Sequence, residues 1–255
     1  NPWWGCTKVS PGCVHCYAET LSSRYRYDVF GPRKPRRTFG ESYWQEPLKW
    51  NRQAILTEAR ARVFCASMAD VFEDNASVEA EREKLWSLID ETPMLDWLLL
   101  TKRPQNMLRF VPWMGDWPTN VWAMTSVENQ EQAVNRISVL LEVPALVHGL
   151  SVEPLIGPVN LGPWLESIQW VIVGGESGQG ARQMQVEWVT HLRDQCVEAG
   201  VPFFFKQWGE WIHQENSETA MKRVGKKAAG RELDGRTWDQ IPNVQSLMLA
   251  RTSQI

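Results

Sequence analysis

The chain has 255 residues, 27 Lys and Arg against 30 Asp and Glu, and a formal net charge of -3. Hydrophobic residues at 43% and charged residues at 22% describe an ordinary globular core and exclude disorder and coiled coil. No apolar run approaches the about 18 residues of a membrane helix, and the near-neutral balance excludes coating of nucleic acid by bulk charge while leaving room for a local basic patch. The length suits one barrel-sized α/β domain. The chain starts at Asn1 with no Met and no signal segment, which reads as a trimmed start with the cytoplasm as default compartment. There are 15 Trp, more than such a core needs, and three of the 5 Cys fall within the first sixteen residues.

Taken in chain order, Tyr17 to Tyr25 reads as a helix, followed by the basic stretch Arg24–Arg37, an insertion outside the later alternation. Arg62–Ser67 is the first predicted strand. Ser77 to Glu91 is a helix with Asn75 or Ser77 as its cap, and Leu85, Leu88 and Ile89 share one face. Trp97–Thr101 is a strand and Pro104 to Phe110 a short helix opened by proline. Asn120–Thr125 is a strand, Asn129 to Leu141 a helix, Ala145 to Leu150 a strand, and the segment to Pro163 a loop. Trp170–Val173, a helix over Val186–Ala199 closed by Gly200, and Val201–Phe205 complete the alternation.

Six strands separated by helices or loops predict a parallel sheet curled into a partial (β/α)6-type barrel over residues 1–209, with 210–255 a C-terminal extension packed on the same domain. Polar residues follow each strand: Ser67 and Asp70; Thr101, Lys102 and Arg103; Ser126 and Glu128; Ser151 and Glu153; Gly174, Gly175 and Glu176; Lys206 and Gln207. In a barrel all these strand ends face one rim, where the chemistry belongs. Any one set alone is equally well a turn or a helix cap.

Cys6, Cys13 and Cys16 follow C-x6-C-x2-C, with Gly5, Gly12 and Pro11 in the same loop. Three thiolates on one short loop can converge on an iron–sulfur cubane, which normally takes four protein ligands. No fourth Cys is near, because Cys65 lies in a strand and Cys196 in a helix. A cluster with three thiolates leaves one iron open to a cofactor or substrate. The competing site is zinc, closed by His15 or by a distant Cys. A disulfide is disfavoured by the odd number and the reducing compartment. Tyr17 either packs against the cluster or begins the helix.

The loop Gly5–Cys13 with Cys16–Ala18, together with Leu100–Pro104, Ser126–Gln130, Leu150–Leu155, Gly174–Gly178, Ala181–Arg182, Phe205–Gly209 and Val224–Gly230, resembles the three-cysteine-motif phage protein family, whose members look like radical S-adenosylmethionine enzymes. That resemblance spans nearly the whole chain. It implies a radical-SAM-like partial barrel holding a [4Fe-4S] cluster on Cys6, Cys13 and Cys16, with S-adenosyl-L-methionine on the open iron. It also implies one-electron cleavage to a 5′-deoxyadenosyl radical, with an electron donor such as flavodoxin or ferredoxin. On that basis Ser67 and Asp70 are expected to contact the methionine ammonium. Lys102 or Arg103 would meet a carboxylate or phosphate. Glu128, Glu153 and Glu176 would hold ribose hydroxyls, with His15, Tyr17, Ser126, Ser151 and Lys206 also around the cofactor. Gly174 and Gly175 would let a ligand approach the backbone. Arg182 pairs with Glu176 or with a substrate phosphate.

Arg24, Arg36 and Arg37, with Tyr25, Tyr27 and Phe39 among them, suit a nucleic-acid strand, unless they form only a solvated loop. Lys222, Arg223, Lys226, Lys227 and Arg231 add charge in the tail. Trp3, Trp4, Trp208 or Trp211 could stack on a flipped base, with Arg103, Arg182, Gln207 and Trp208 at the substrate. The family's phage setting implies DNA, and specifically a hypermodified thymine, as substrate. A cluster- or zinc-stabilised nucleic-acid-binding protein without turnover and a radical pyrimidine-repair lyase are the competing functions.

Overall fold

The computed structural model describes residues 1–113, 115–213 and 221–252, so part of the predicted C-terminal extension lies outside the described residues. The chain order is α1 (Tyr17–Arg24), α2 (Glu41–Trp44), α3 (Glu46–Leu56), β1 (Ala61–Cys65), α4 (Glu79–Asp90), β2 (Leu95–Thr101), α5 (Met107–Phe110), β3 (Val121–Ser126), α6 (Gln130–Leu140), β4 (His148–Val152), β5 (Trp170–Gly174), α7 (Val186–Glu198), β6 (Phe203–Gln207), β7 (Trp211–His213), β8 (Met221–Arg223), α8 (Lys226–Ala229) and α9 (Val244–Thr252). Strands β1 to β6 pair in sequence order, all parallel, and form a half-barrel. The partial barrel predicted from the alternation is present.

Alternation along each strand separates two apolar layers. Leu99, Ala123, Leu150, Val171, Val173, Phe203 and Phe205 face the outer layer with Leu85 and Ile89 of α4, Ile137 of α6, and Leu192 and Cys196 of α7. On the inner face Leu98, Trp122, Met124, Trp170 and Ile172 form a second cluster, closed by Val244, Leu247 and Met248 of α9. Indole rings fill the base of the half-barrel, Trp122 standing edge-on to Trp170 with centroids 5.6 Å apart. The rim above them is left to polar side chains.

Local chemistry sets most boundaries. The Asn129 side chain accepts from the Gln132 N–H and caps α6. Asn75, not Ser77, caps a short 3-10 turn ahead of α4. Gly200, at φ +68°, ends α7 in the left-handed region while Val201 N–H donates back to the Cys196 carbonyl. Strand β4 begins at His148 and runs on through Ser151 and Val152, beyond the predicted Leu150. Polar Ser151 read as loop, yet it pairs with Ile172 at the rim end of the sheet. Helices α2 and α3 and the β7–β8 hairpin were not predicted from the sequence. Among the described residues no helix is long and apolar enough to cross a membrane.

Candidate functional site

The cysteine loop lies across the C-terminal rim of the sheet. Gly5 has φ +107°, and a Cβ there would stand 2.1 Å from the Val29 carbonyl oxygen, so only glycine lets the chain turn between Trp4 and Cys6. Cys13 ends the single turn Pro11–Cys13. Cys16 occupies the N-cap position of α1, where its sulfur receives the Ala18 and Glu19 N–H groups. All three thiols are free and partly exposed, and all three line one cavity of about 130 Å³. Tyr17, Ser67, Asp70, Lys102, Arg103, Ser126, Ser151, Glu153 and Lys206 line the same cavity. The alternation therefore brought most of the predicted rim residues to one place.

Side chains from successive strand ends clamp the loop. Arg103 donates to the Thr7 carbonyl at 2.7 Å and to Asp70 at 2.6 Å. Ser10 Oγ donates to Glu128 Oε1 at 2.7 Å and lies 3.8 Å from Cys13 Sγ. Glu128 is fully buried and also accepts from Arg136 at 2.9 Å. Arg182 donates to the Pro11 carbonyl at 3.0 Å while forking onto Glu176 at 2.8 and 2.5 Å. Gly5 N–H donates to the Met68 carbonyl. Thr7, Ser10, Glu73 and Arg136 were not predicted from the sequence. Only Ser10, three residues before Cys13, carried a local signal.

Gly12 packs directly on Glu128, where a Cβ would lie 2.3 Å from Glu128 Cγ. Glu128 is held by an arginine and a serine and cannot swing away. Gly12→Ala should therefore lift the loop and cost about 1–3 kcal/mol. Denaturant midpoints check this, with that of the variant expected to fall.

The geometry ties several of the predicted residues to protein partners or places them outside the cavity. Asp70 accepts from Phe72 N–H, Thr101 Oγ1, Lys102 N–H and Arg103, which uses its lone-pair positions and leaves none for an ammonium. Glu128 and Glu176 are held beneath the loop by Arg136 and Arg182 and do not line the cavity. Gly174 and Gly175 do not line it either. Gly175 packs on the Trp208 backbone, where a Cβ would meet the carbonyl oxygen at 2.0 Å. Gln207 donates to Glu153 Oε1 at 3.1 Å and to the Gly175 carbonyl, so it positions Glu153 from outside the cavity. Trp208 and Trp3 are core residues, and Trp208 Nε1 donates to the Glu232 carbonyl. Trp4 and Trp211 are half-buried and away from the cavity, Trp211 donating to the Ala181 carbonyl.

Arg36 is buried and donates to both Glu73 oxygens, three carbonyls and Thr7, so it cannot reach a nucleic acid. The Arg37 guanidinium lies 4.3 to 4.8 Å from the Trp4, Tyr27 and Phe39 ring centres. It glues the insertion to the loop. Arg24 is exposed and lines an outer groove with His15 and Cys16. His15, Cys65 and Cys196 are all outside the cysteine cavity, so none of the considered fourth ligands reaches it. Among the described residues no three His, Cys, Asp or Glu side chains are grouped about a single metal ion.

Burial pushes the Cys6 thiol far up, reinforced by Asp70 and by Glu73. Burial also raises Cys16, outweighing its two N–H donors and the nearby Lys102 charge. Lys102 donates to Ser126 Oγ at 3.1 Å, and Lys206 pairs with Glu153 at 2.8 Å, so cations stand on two sides of the cavity. Away from the site, burial pushes the core thiols of Cys65 and Cys196 up to about 11 and about 12 from a reference of 9.0. The folded state keeps both protonated. Their contribution is complete below the unfolded value and is lost as pH rises through the window from 9.0 towards 11 and 12. The denaturant midpoint should fall as pH rises from 9.0 towards about 11, and less steeply in Cys196→Ala.

Compared with curated proteins and with solved structures, the chain finds no match. A family model, described as a protein of unknown function, matches residues 1–242. With the whole half-barrel and its cysteine loop inside that match, the chain belongs to the DUF5131 family.

Proposed function

We propose that the protein is a radical S-adenosylmethionine enzyme that acts on a nucleobase in DNA, the hypermodified thymine of a phage genome being the specific candidate. The observation that carries it is the convergence of Cys6, Cys13 and Cys16 on one cavity at the rim of a parallel half-barrel. The donor set fits an iron–sulfur cluster held at three corners. Three free thiols share the cavity, and no further thiol or imidazole lines it among the described residues; Lys102 and Lys206 at its edge pair with Glu128 and Glu153. Bound there by Cys6, Cys13 and Cys16 and reduced, such a cluster would supply one electron to the sulfonium of S-adenosylmethionine, the chemistry that gives methionine and a 5′-deoxyadenosyl radical able to take a hydrogen atom from a substrate.

The chain's own residues bind and orient. Lys102 and Lys206 meet a carboxylate. Ser126, Ser151 and Glu153 line the cavity and would face the nucleoside hydroxyls, and Glu153 is held in place by Gln207. Arg103, Glu128 and Glu176 act indirectly, by fixing the loop. The electron would come from a flavodoxin or ferredoxin in the cytoplasm, that of the host for a phage-encoded protein.

Charge distribution supports a nucleic-acid substrate. Residues 1–37 hold seven Lys and Arg against two Asp and Glu, leaving twenty against twenty-eight in the rest. Arg24, Arg26 and Arg33 are exposed beside Tyr25 and Tyr27, an arrangement suited to a strand. Anaerobic reconstitution with iron and sulfide tests the chemistry. A visible charge-transfer band and release of 5′-deoxyadenosine on reduction are expected. Incubation with modified and plain DNA, then digestion to nucleosides, tests the substrate. A binder without turnover would release no 5′-deoxyadenosine, a repair lyase would act on damaged pyrimidines, and unchanged nucleosides in both DNAs would refute the base-modification role.

A further inference from the structure

We propose that a second pocket beside the cysteine cavity is a phosphodiester-binding subsite that anchors the strand whose base enters the mouth. The pocket measures about 430 Å³ and is lined by Lys206, Gln207, Lys226, Lys227, Gly230 and Arg231. Four of those six side chains are cationic, and they come from the end of β6, from α8 and from the segment that follows it. Lys206 lines both this pocket and the cysteine cavity, so the two are contiguous across one side chain.

The local acids answer two of the four cations and leave two. Glu153 answers Lys206, and Asp239 accepts from Arg231. Lys226 and Lys227 are exposed and have no ion pair among the described residues. Arg231 is held in place by the Phe205 carbonyl and by the Phe204 ring, 5.0 Å from its guanidinium, while its buried Nε has no hydrogen-bond partner among the described residues. A guanidinium held in place, flanked by two exposed ammonium groups with no ion pair among the described residues, is chemistry for a phosphate oxygen rather than for an apolar group. The placement rests on the proposal that the mouth takes a nucleobase. A base drawn into the cysteine cavity leaves its own phosphates at the rim, where Lys206 joins the two pockets.

The test is binding of a fluorescein-labelled single-stranded oligodeoxynucleotide, followed by anisotropy over a range of salt, for the full chain and for Lys226→Gln/Lys227→Gln. Both lysines are exposed, so the variant should melt as the wild type does. Loss of two phosphate contacts should reduce the salt slope by about 1.4, so that from about 50 to about 200 mM salt the wild type loses about sevenfold more affinity than the variant. Cys13→Ala should keep the wild-type slope, because the subsite does not depend on the cluster. An unchanged slope in the lysine variant, or no binding by the wild type at low salt, overturns the subsite. Absence of 5′-deoxyadenosine together with a reduced slope would overturn the radical chemistry and leave the subsite standing.

Discussion

Cys13→Ala is expected to lose the cluster and the cleavage of S-adenosylmethionine together while keeping its fold. Cys13 is partly exposed, on a single turn held by backbone bonds, so removing its sulfur should change stability by no more than about 0.5 kcal/mol. Cys6→Ala and Cys16→Ala should behave alike in iron content, since each would remove one of the three proposed ligands. Cys196→Ala serves as the control. Cys196 is buried in α7 against the outer core, away from the cavity, and its removal should leave iron content and cleavage intact. The checks are iron and sulfide per chain, the visible spectrum and 5′-deoxyadenosine by chromatography. Cleavage retained by Cys13→Ala would refute the assignment of that ligand.

Arg36→Ala should produce the largest loss of stability at the site. Its guanidinium forks onto Glu73 at 2.9 and 2.8 Å, and both side chains are shielded from solvent, at 1% and 4% exposure. Removing the arginine leaves the Glu73 carboxylate buried beside Arg103 alone, 4.0 Å away. Breaking one side of such a pair costs about 3–5 kcal/mol, far more than the pair itself contributes. Arg36 also ties the Val29, Gly31 and Lys34 carbonyls to Thr7, so the insertion and the cysteine loop should loosen together. Arg36→Lys should not rescue, because an ammonium cannot reproduce the fork. Urea denaturation measures the difference. Arg33→Ala, at an exposed side chain, should shift the midpoint by less than about 0.5 kcal/mol.

The two arginines show where the sequence was legible and where it was not. Arg33 and Arg36 sit three residues apart in one basic run, and nothing local distinguishes them. Glu73, whose carboxylate decides the matter, arrives from beyond β1, and only the fold brings it there. The same holds for Glu128 and Glu176, read as cofactor contacts from their place after a strand. Their position at the rim was correct. Their partners, Arg136 and Arg182, lie on or before later helices, and those pairings turn the carboxylates under the loop. By contrast, the strands announced themselves through short apolar runs followed by polar residues, and the site inherited that periodicity. Lys102, Ser126, Ser151, Glu153 and Lys206 reach one cavity because they end or follow successive parallel strands. Helices α2 and α3 escaped detection because Trp44, Asn51 and Ala54 are buried among polar neighbours, leaving a weak apolar stripe.

Counting iron, zinc and acid-labile sulfide in anaerobically purified and reconstituted protein distinguishes a cluster on the three cysteines from every other occupant. About four iron and four sulfide per chain are expected, with zinc absent, and loss of both in Cys13→Ala. One zinc per chain without sulfide, or a fourth protein side chain found on the cluster, would contradict it.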